Sequence, residues 1–241
     1  WCWTASLKFS VAALLTVACV LGVSDYARAQ SGVSDSVHGD TALHQAAHSG
    51  DVISLQRELD QDVDPNTTNR FGVTPLALAC RGGHVAAVEL LLEAGADPNH
   101  ASPTGETPLM VAARTGVVDS VVSLLEHGAD PLARESWMGQ TALMWAAAER
   151  HTSVVAPLIA GGAEVDSRSD AGFTPLMFAA RLGHIDTVDA LLDAGADIHQ
   201  TLPDGTSPLV VAVINAHYDL AVRLLERGAD PTAAEQGWTA L

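Results

Sequence analysis

The chain has 241 residues, 48% of them apolar and 17% charged, with a mean hydropathy of +0.19, which is too much apolar mass for a disordered chain. Its formal net charge is -17, its pI is near 4.7 and Lys8 is its only lysine, so a phosphate backbone would be repelled and nucleic acid is excluded as a partner. Aromatic residues make up only 5%, which suits thin packed layers of small side chains better than one thick core.

The first thirty residues differ from the rest. Lys8 precedes an apolar run from Val11 to Val23, and Ala27-Arg28-Ala29 then places small residues at the two positions a signal peptidase reads. This pattern predicts a secretory signal peptide over 1–29, cleaved before Gln30, and a periplasmic or secreted protein. The run is shorter than the roughly 20 residues a membrane span needs. A competing reading is a lipoprotein signal ending at Ala18-Cys19, with membrane attachment only through an acylated Cys19. Thr16, where Leu or Val is usual, weakens it. Cleavage before Gln30 removes Cys2 and Cys19 and leaves Cys80 alone, so no intrachain disulfide is expected. The chain begins at Trp1, which reads as an incomplete amino terminus.

A linker over 30–38 leads into a repeat. A Thr/Ser-Pro/Ala-Leu triplet recurs at Thr41, Thr74, Thr107, Thr141, Thr174, Ser207 and Thr239, at intervals of 33, 33, 34, 33, 33 and 32. Each triplet follows a glycine by two residues: Gly39, Gly72, Gly105, Gly139, Gly172, Gly205 and Gly237. Within a unit, the Thr or Ser hydroxyl caps a helix whose first position is Pro or Ala. Small apolar residues follow, as in Leu109-Met110-Val111-Ala112-Ala113, until a glycine such as Gly83, Gly116 or Gly183 breaks the helix. A second helix comes next, with one apolar face, as at Val85, Val88, Leu91 and Leu92. It closes at Gly95, Gly128, Gly162, Gly195 or Gly228, and an Asp-Pro or Asp-Ile opens an extended loop.

This pattern resembles the ankyrin repeat, whose Gly-x-Thr-Pro-Leu, Ala-Ala, Gly-His, Leu-Leu and Gly-Ala-Asp elements recur almost unit by unit. Gly82-Gly83-His84, Leu182-Gly183-His184 and four copies of Gly-Ala-Asp carry the match. The resemblance implies an all-α solenoid of stacked helix-turn-helix units with β-turn loops over 39–241. Taken with the signal-peptide pattern of 1–29, the expectation is a bacterial, exported member with about six repeats and the start of a seventh. Departures are expected at Asp62, which stands at a helix-ending glycine position, and at Leu59-Asp60, where Leu-Leu belongs; the first unit reads as a cap. Arg150 replaces a turn glycine and Glu164 a loop aspartate in the fourth unit. The chain stops at Thr239-Ala240-Leu241 before a seventh helix, which reads as a truncation that uncovers the sixth unit's apolar edge.

No catalytic residue, metal site, cofactor or small-molecule substrate is expected. His84, His151, His184 and His217 share one repeat position, ten residues after the Thr or Ser, and the resemblance implies a bond to neighbouring backbone in the inter-helix turn. It gives His44 a similar fold-stabilising role. Asp97, Asp130, Asp197 and Asp230 share a loop position in which an aspartate bonds amides of its own turn. Cys80 occupies a position that is alanine in its neighbours, the mark of a buried small side chain.

The resemblance implies a non-enzymatic scaffold that binds another protein through loop tips and the exposed side of the first helices. Carried over by position, these are Arg70, Phe71, Pro103, Thr104, Trp137, Met138, Asp170, Phe173, Pro203 and Asp204 from the tips, and Arg81, Arg114, Glu149, Arg181 and Leu182 from the helices, although arginine at the position of Arg81, Arg114 and Arg181 is common in ankyrin repeats whatever they bind. Phe71, Trp137, Met138 and Phe173 are the expected hot spots, because apolar tips cost solubility without building a core. Trp137 could instead fold back onto a neighbouring tip. Trp145 is assigned to the first-helix core. An alternative function is the targeting domain of a larger enzyme or toxin.

Overall fold

Helix boundaries fall where the capping residues place them. The structure, a computed structural model, describes residues 39–232; the expected signal peptide, the linker, Cys2, Cys19 and the start of a seventh unit lie outside the described residues. In the unit that begins at Asp40, twelve helices alternate as first and second members of six hairpins. They are α1 (Ala42–Ser49) and α2 (Val52–Leu59), α3 (Pro75–Gly82) and α4 (Val85–Glu93), α5 (Pro108–Thr115) and α6 (Val118–Glu126). Then follow α7 (Ala142–Ala148) and α8 (Thr152–Ala160), α9 (Pro175–Leu182) and α10 (Ile185–Asp193), α11 (Pro208–Ile214) and α12 (Tyr218–Glu226). The described residues contain no strand.

Each first helix starts for the reason its sequence gives. Hydroxyls of Thr41, Thr74, Thr107, Thr174 and Ser207 accept an amide three residues on, with proline at the first position of α3, α5, α9 and α11. Thr141 is the exception: it makes no capping bond, and its buried hydroxyl finds no hydrogen-bond partner among the described residues. Four of the six first helices end at a left-handed glycine, and Gly116 shows why a larger residue does not fit there. It sits at φ +75°, and a Cβ there would collide with Nδ1 of His151 from the next hairpin.

First helices pack on first helices from α1 through α11, and second helices on second helices from α2 through α10. One continuous apolar layer results, in which Leu43, Leu76, Leu109, Leu143, Leu176 and Leu209 recur at the same position and are almost wholly buried. Such helices are only seven to nine residues long, below the length at which a helix is stable alone in water, so burial between neighbours holds them.

Polar bonds between hairpins reinforce the layer. His84 donates from Nε2 to the His48 carbonyl at 3.1 Å, His151 to Arg114 at 2.8 Å, His184 to Ala148 at 3.1 Å and His217 to Arg181 at 3.0 Å. In the third unit Val117 takes that position, and the Thr115 hydroxyl reaches back to Cys80 O instead, at 3.4 Å. His44 is fully buried; its Nδ1 accepts from Thr41 N–H and its Nε2 donates to Val73 O at 3.0 Å. Loop aspartates bond their own turns: Asp97 accepts from Asn99 N, Asp130 from Leu132 N, Asp197 from His199 N and Asp230 from Thr232 N. A further bridge was not anticipated. Asn66 accepts from Asp97 N and donates to Gly95 O, and Asn99 does the same to Asp130 N and Gly128 O.

Irregularities gather in the fourth unit. Besides the silent Thr141, Arg150 is held at φ +63° and Pro157 lies inside α8, which runs on through it. Asp62 at φ 57° and Ala216 at φ 61° complete the left-handed residues other than glycine among the described residues. At the far end Ile214, Tyr218, Val222 and Leu225 stand exposed, and α12 meets α10 through ion pairs of Arg223 and Arg227 with Asp189, at 3.0 and 3.1 Å.

Candidate partner-binding face

Loop tips are closed by a backbone bond across each turn, and a polar side chain at one recurring position then fastens the turn from inside. Asn69 Oδ1 accepts from Phe71 N and Val73 N, Ser102 Oγ from Glu106 N, and Ser169 Oγ from Phe173 N. In the fourth unit this residue is Glu135, only 7% exposed, whose carboxylate accepts the amides of Trp137 at 2.6 Å, Met138 at 2.8 Å and Gln140 at 2.9 Å. The longer reach of glutamate accommodates the extra residue that makes the interval to Thr141 34 rather than 33. Three amides on one carboxylate fix the backbone under Trp137.

That tip is also tied to both neighbours. Ser136 N donates to Thr104 O at 2.9 Å, Asp170 N donates to Met138 O at 2.8 Å, and Arg134 pairs with Asp170 at 3.0 Å. Trp137 projects from this lashed platform with 66% of its surface exposed, so it does not fold back onto its neighbours. Phe71 is 42% exposed, with the Arg70 guanidinium 4.7 Å above its ring.

The other expected hot spots sit differently. Met138 is half-buried. Phe173 is half-buried too, packed on the core with its ring 5.5 Å from Phe178, and Arg181 lies over both rings at 5.5 and 5.2 Å. The reason is position: Phe173 directly precedes the cap of α9, at the base of its tip, whereas Trp137 is at the summit. Among helix residues, Arg81, Arg114 and Arg181 end α3, α5 and α9 at one equivalent place, Leu182 follows Arg181, and Glu149 is exposed at the end of α7. Trp145 packs on the core as its helix position implies, but it is only half-buried, and the Arg114 guanidinium from the preceding unit lies over its ring at 5.0 Å.

Sequence reasoning missed Glu135 and the outward side of Trp145. The signal for Glu135 was present, since its position holds Asn69, Ser102 and Ser169 in other units. Elsewhere, Cys80 is wholly buried and its thiol is pushed up to about 12 by burial, which leaves it protonated and unreactive. Among the described residues no three His, Cys, Asp or Glu side chains gather where they could hold a metal ion, and no helix is long and apolar enough to cross a membrane.

Serial hairpins with a continuous face of tips and first helices define a class, the repeat solenoids whose fold is typically a non-catalytic platform for binding other proteins. The chain belongs to the ankyrin-repeat family: three overlapping matches to ankyrin repeats cover residues 13–102, 43–135 and 132–202, and a single ankyrin repeat matches 204–235. Among solved structures it is similar to the human ASB11 ankyrin repeat domain, with 30% identity and a TM-score of 0.77 over 83% of this chain and 90% of that one. No protein of curated function shows significant similarity to the chain.

Proposed function

We propose that this chain is an exported, non-enzymatic scaffold that holds a partner protein against its loop tips and first helices, with Trp137 as the principal anchor. The observation that carries the reading is a large aromatic side chain exposed on a backbone pinned by Glu135 and by both adjacent tips. An anchor ordered before binding loses little entropy on contact. The neighbourhood supports it: the unit with the most local irregularity, at Thr141, Arg150 and Pro157, is the one bearing this tip, and departures from local rules concentrate where function demands them. Export rests on Lys8, the apolar run and Ala27-Arg28-Ala29.

The test is affinity capture from a periplasmic or secreted extract. The parent chain should retain a specific protein, and Trp137→Ala should lose it without change in thermal unfolding. Glu135→Ala, which frees the tip while keeping the tryptophan, should weaken capture by about tenfold or more, the scale of one charged hydrogen-bond set. Capture indifferent to Trp137→Ala would remove the anchor from this account.

A further inference from the structure

The chain's acidity is confined to part of its surface. None of the six first helices contains a carboxylate, whereas second helices carry Glu89, Glu93, Asp119, Glu126, Asp189 and Asp193 among others. The formal charges on the first helices are instead Arg81, Arg114 and Arg181, each in the last turn. A protein of net charge -17 therefore sets three arginines on its first helices, interrupted by Glu149 at the end of α7, on the face on which the proposed partner would lie.

Two of these arginines are seated on aromatic rings, Arg114 on Trp145 at 5.0 Å and Arg181 on Phe173 and Phe178 at 5.5 and 5.2 Å. A ring beneath the guanidinium carbon helps hold the group in place, and its N–H groups are what a carboxylate meets bidentately. Among the described residues no carboxylate pairs with Arg114. At physiological salt the Debye length is about 8 Å, so acids on the second-helix layer are screened from a ligand lying on the first.

We infer that the partner presents an extended acidic protein segment, laid across the first-helix layer, with carboxylates at Arg81, Arg114 and Arg181 and an apolar side chain beside Trp145. This rests on the scaffold reading and gives it a partner chemistry. Adjacent helices pack about 8–10 Å apart and an extended chain advances about 3.3 Å per residue, so the acids should stand about three residues apart across Arg81 and Arg114. They should stand about six apart across Arg114 and Arg181, because the intervening unit has Ala148 at that place. A polyphosphate strand would also meet arginines, but the acidic remainder of the molecule and the apolar seat beside Trp145 favour a polypeptide.

The experiment is fluorescence polarisation with the full chain at physiological salt. The probes are labelled peptides with three Glu at those spacings in both directions, the same peptides with Gln or Lys for Glu, a peptide with its Glu adjacent, and a single-stranded oligonucleotide. A spaced Glu peptide should bind at least about tenfold tighter than its Gln form. Arg114→Gln and Arg181→Gln should each weaken it by about tenfold, while Arg57→Gln on α2 should leave it unchanged. Arg114→Lys, which keeps charge but loses the planar fork, should lie between, and thermal unfolding confirms that each variant is folded. Equal binding of Glu and Gln peptides, stronger binding of the Lys peptide, indifference to both arginine changes, or tighter arginine-dependent binding of the oligonucleotide would each overturn the inference. A captured partner that needs Trp137 but ignores the arginines would leave the scaffold standing and remove only the acidic segment.

Discussion

Ala216 shows how much one backbone angle decides in this fold. Its φ of 61° lies in the left-handed region, at the turn position that Gly83, Gly116 and Gly183 fill in other units. An L-residue there costs about 1–2 kcal/mol, partly offset by the larger unfolded-state freedom of glycine. Ala216→Gly should therefore stabilise the chain by about 0.5–1 kcal/mol, read as a melting temperature raised by about 2–4 °C. Arg150→Gly should do the same, because the contact it gives up, with Asp186 at 3.8 Å between exposed side chains, contributes little. An unchanged or lower melting temperature for both variants would show that the left-handed backbone is not strained. Arg150 was legible as a misplaced residue, since a charged side chain at a glycine position stands out. Ala216 was harder to notice, because its small size suits the turn and only its φ does not.

Between hairpins, stability depends on side chains that cross from one unit to the next. Asn66 and Asn99 each offer an acceptor and a donor to the following loop, but Asp166 stands at the same position with acceptors only. Burial and then the neighbouring Asp197 carboxylate push its carboxyl above the usual range, although the amide of Asp197 and the charge of Arg168 oppose this. A raised carboxyl pKa means the ionised form is disfavoured in the fold, so Asp166→Asn should stabilise at neutral pH. Solvent screening holds the gain to about 0.5 kcal/mol. Urea unfolding midpoints of the two proteins at neutral pH check it, and a lower midpoint for the variant would contradict it.

The histidines make a pH prediction of opposite sign. Burial holds His44 and His184 below the ordinary 6.5, so both stay neutral in the fold while the unfolded chain takes up protons there. Their contribution is complete above about 6.5 and is lost as pH falls below it. The unfolding midpoint should fall between pH 7.5 and 5.5, and His44→Asn should flatten part of that slope; a midpoint that is level across the interval would refute this. The shared histidine position was readable in sequence, and the resemblance supplied its bond to backbone. The asparagine bridge was not read, because its two partners lie in the next unit and nothing local to Asn66 or Asn99 reveals them.

For the whole molecule, the six-hairpin order, the caps and the placement of Asp62 and Arg150 at glycine positions followed from the thirty-three-residue register. Periodicity fixes which residues are equivalent, and equivalent residues must share a packing role. What it could not give was the departure from equivalence: the silent cap at Thr141, the Glu135 carboxylate beneath a lengthened tip, and the half-open seat of Trp145 under Arg114. These depend on contacts between unlike units. The segregation of charge between helix layers was written in the sequence, but it became visible only once first and second helices were assigned to opposite sides.

The claim beneath all of this is that no hairpin is stable without a neighbour. Urea unfolding, followed by circular dichroism on a series of chains shortened by whole hairpins from the α12 end, tests it most directly. Midpoint and cooperativity should fall with each hairpin removed, and an isolated α3–α4 hairpin should show no helix. An isolated hairpin that folds with the stability of the full stack would contradict the account.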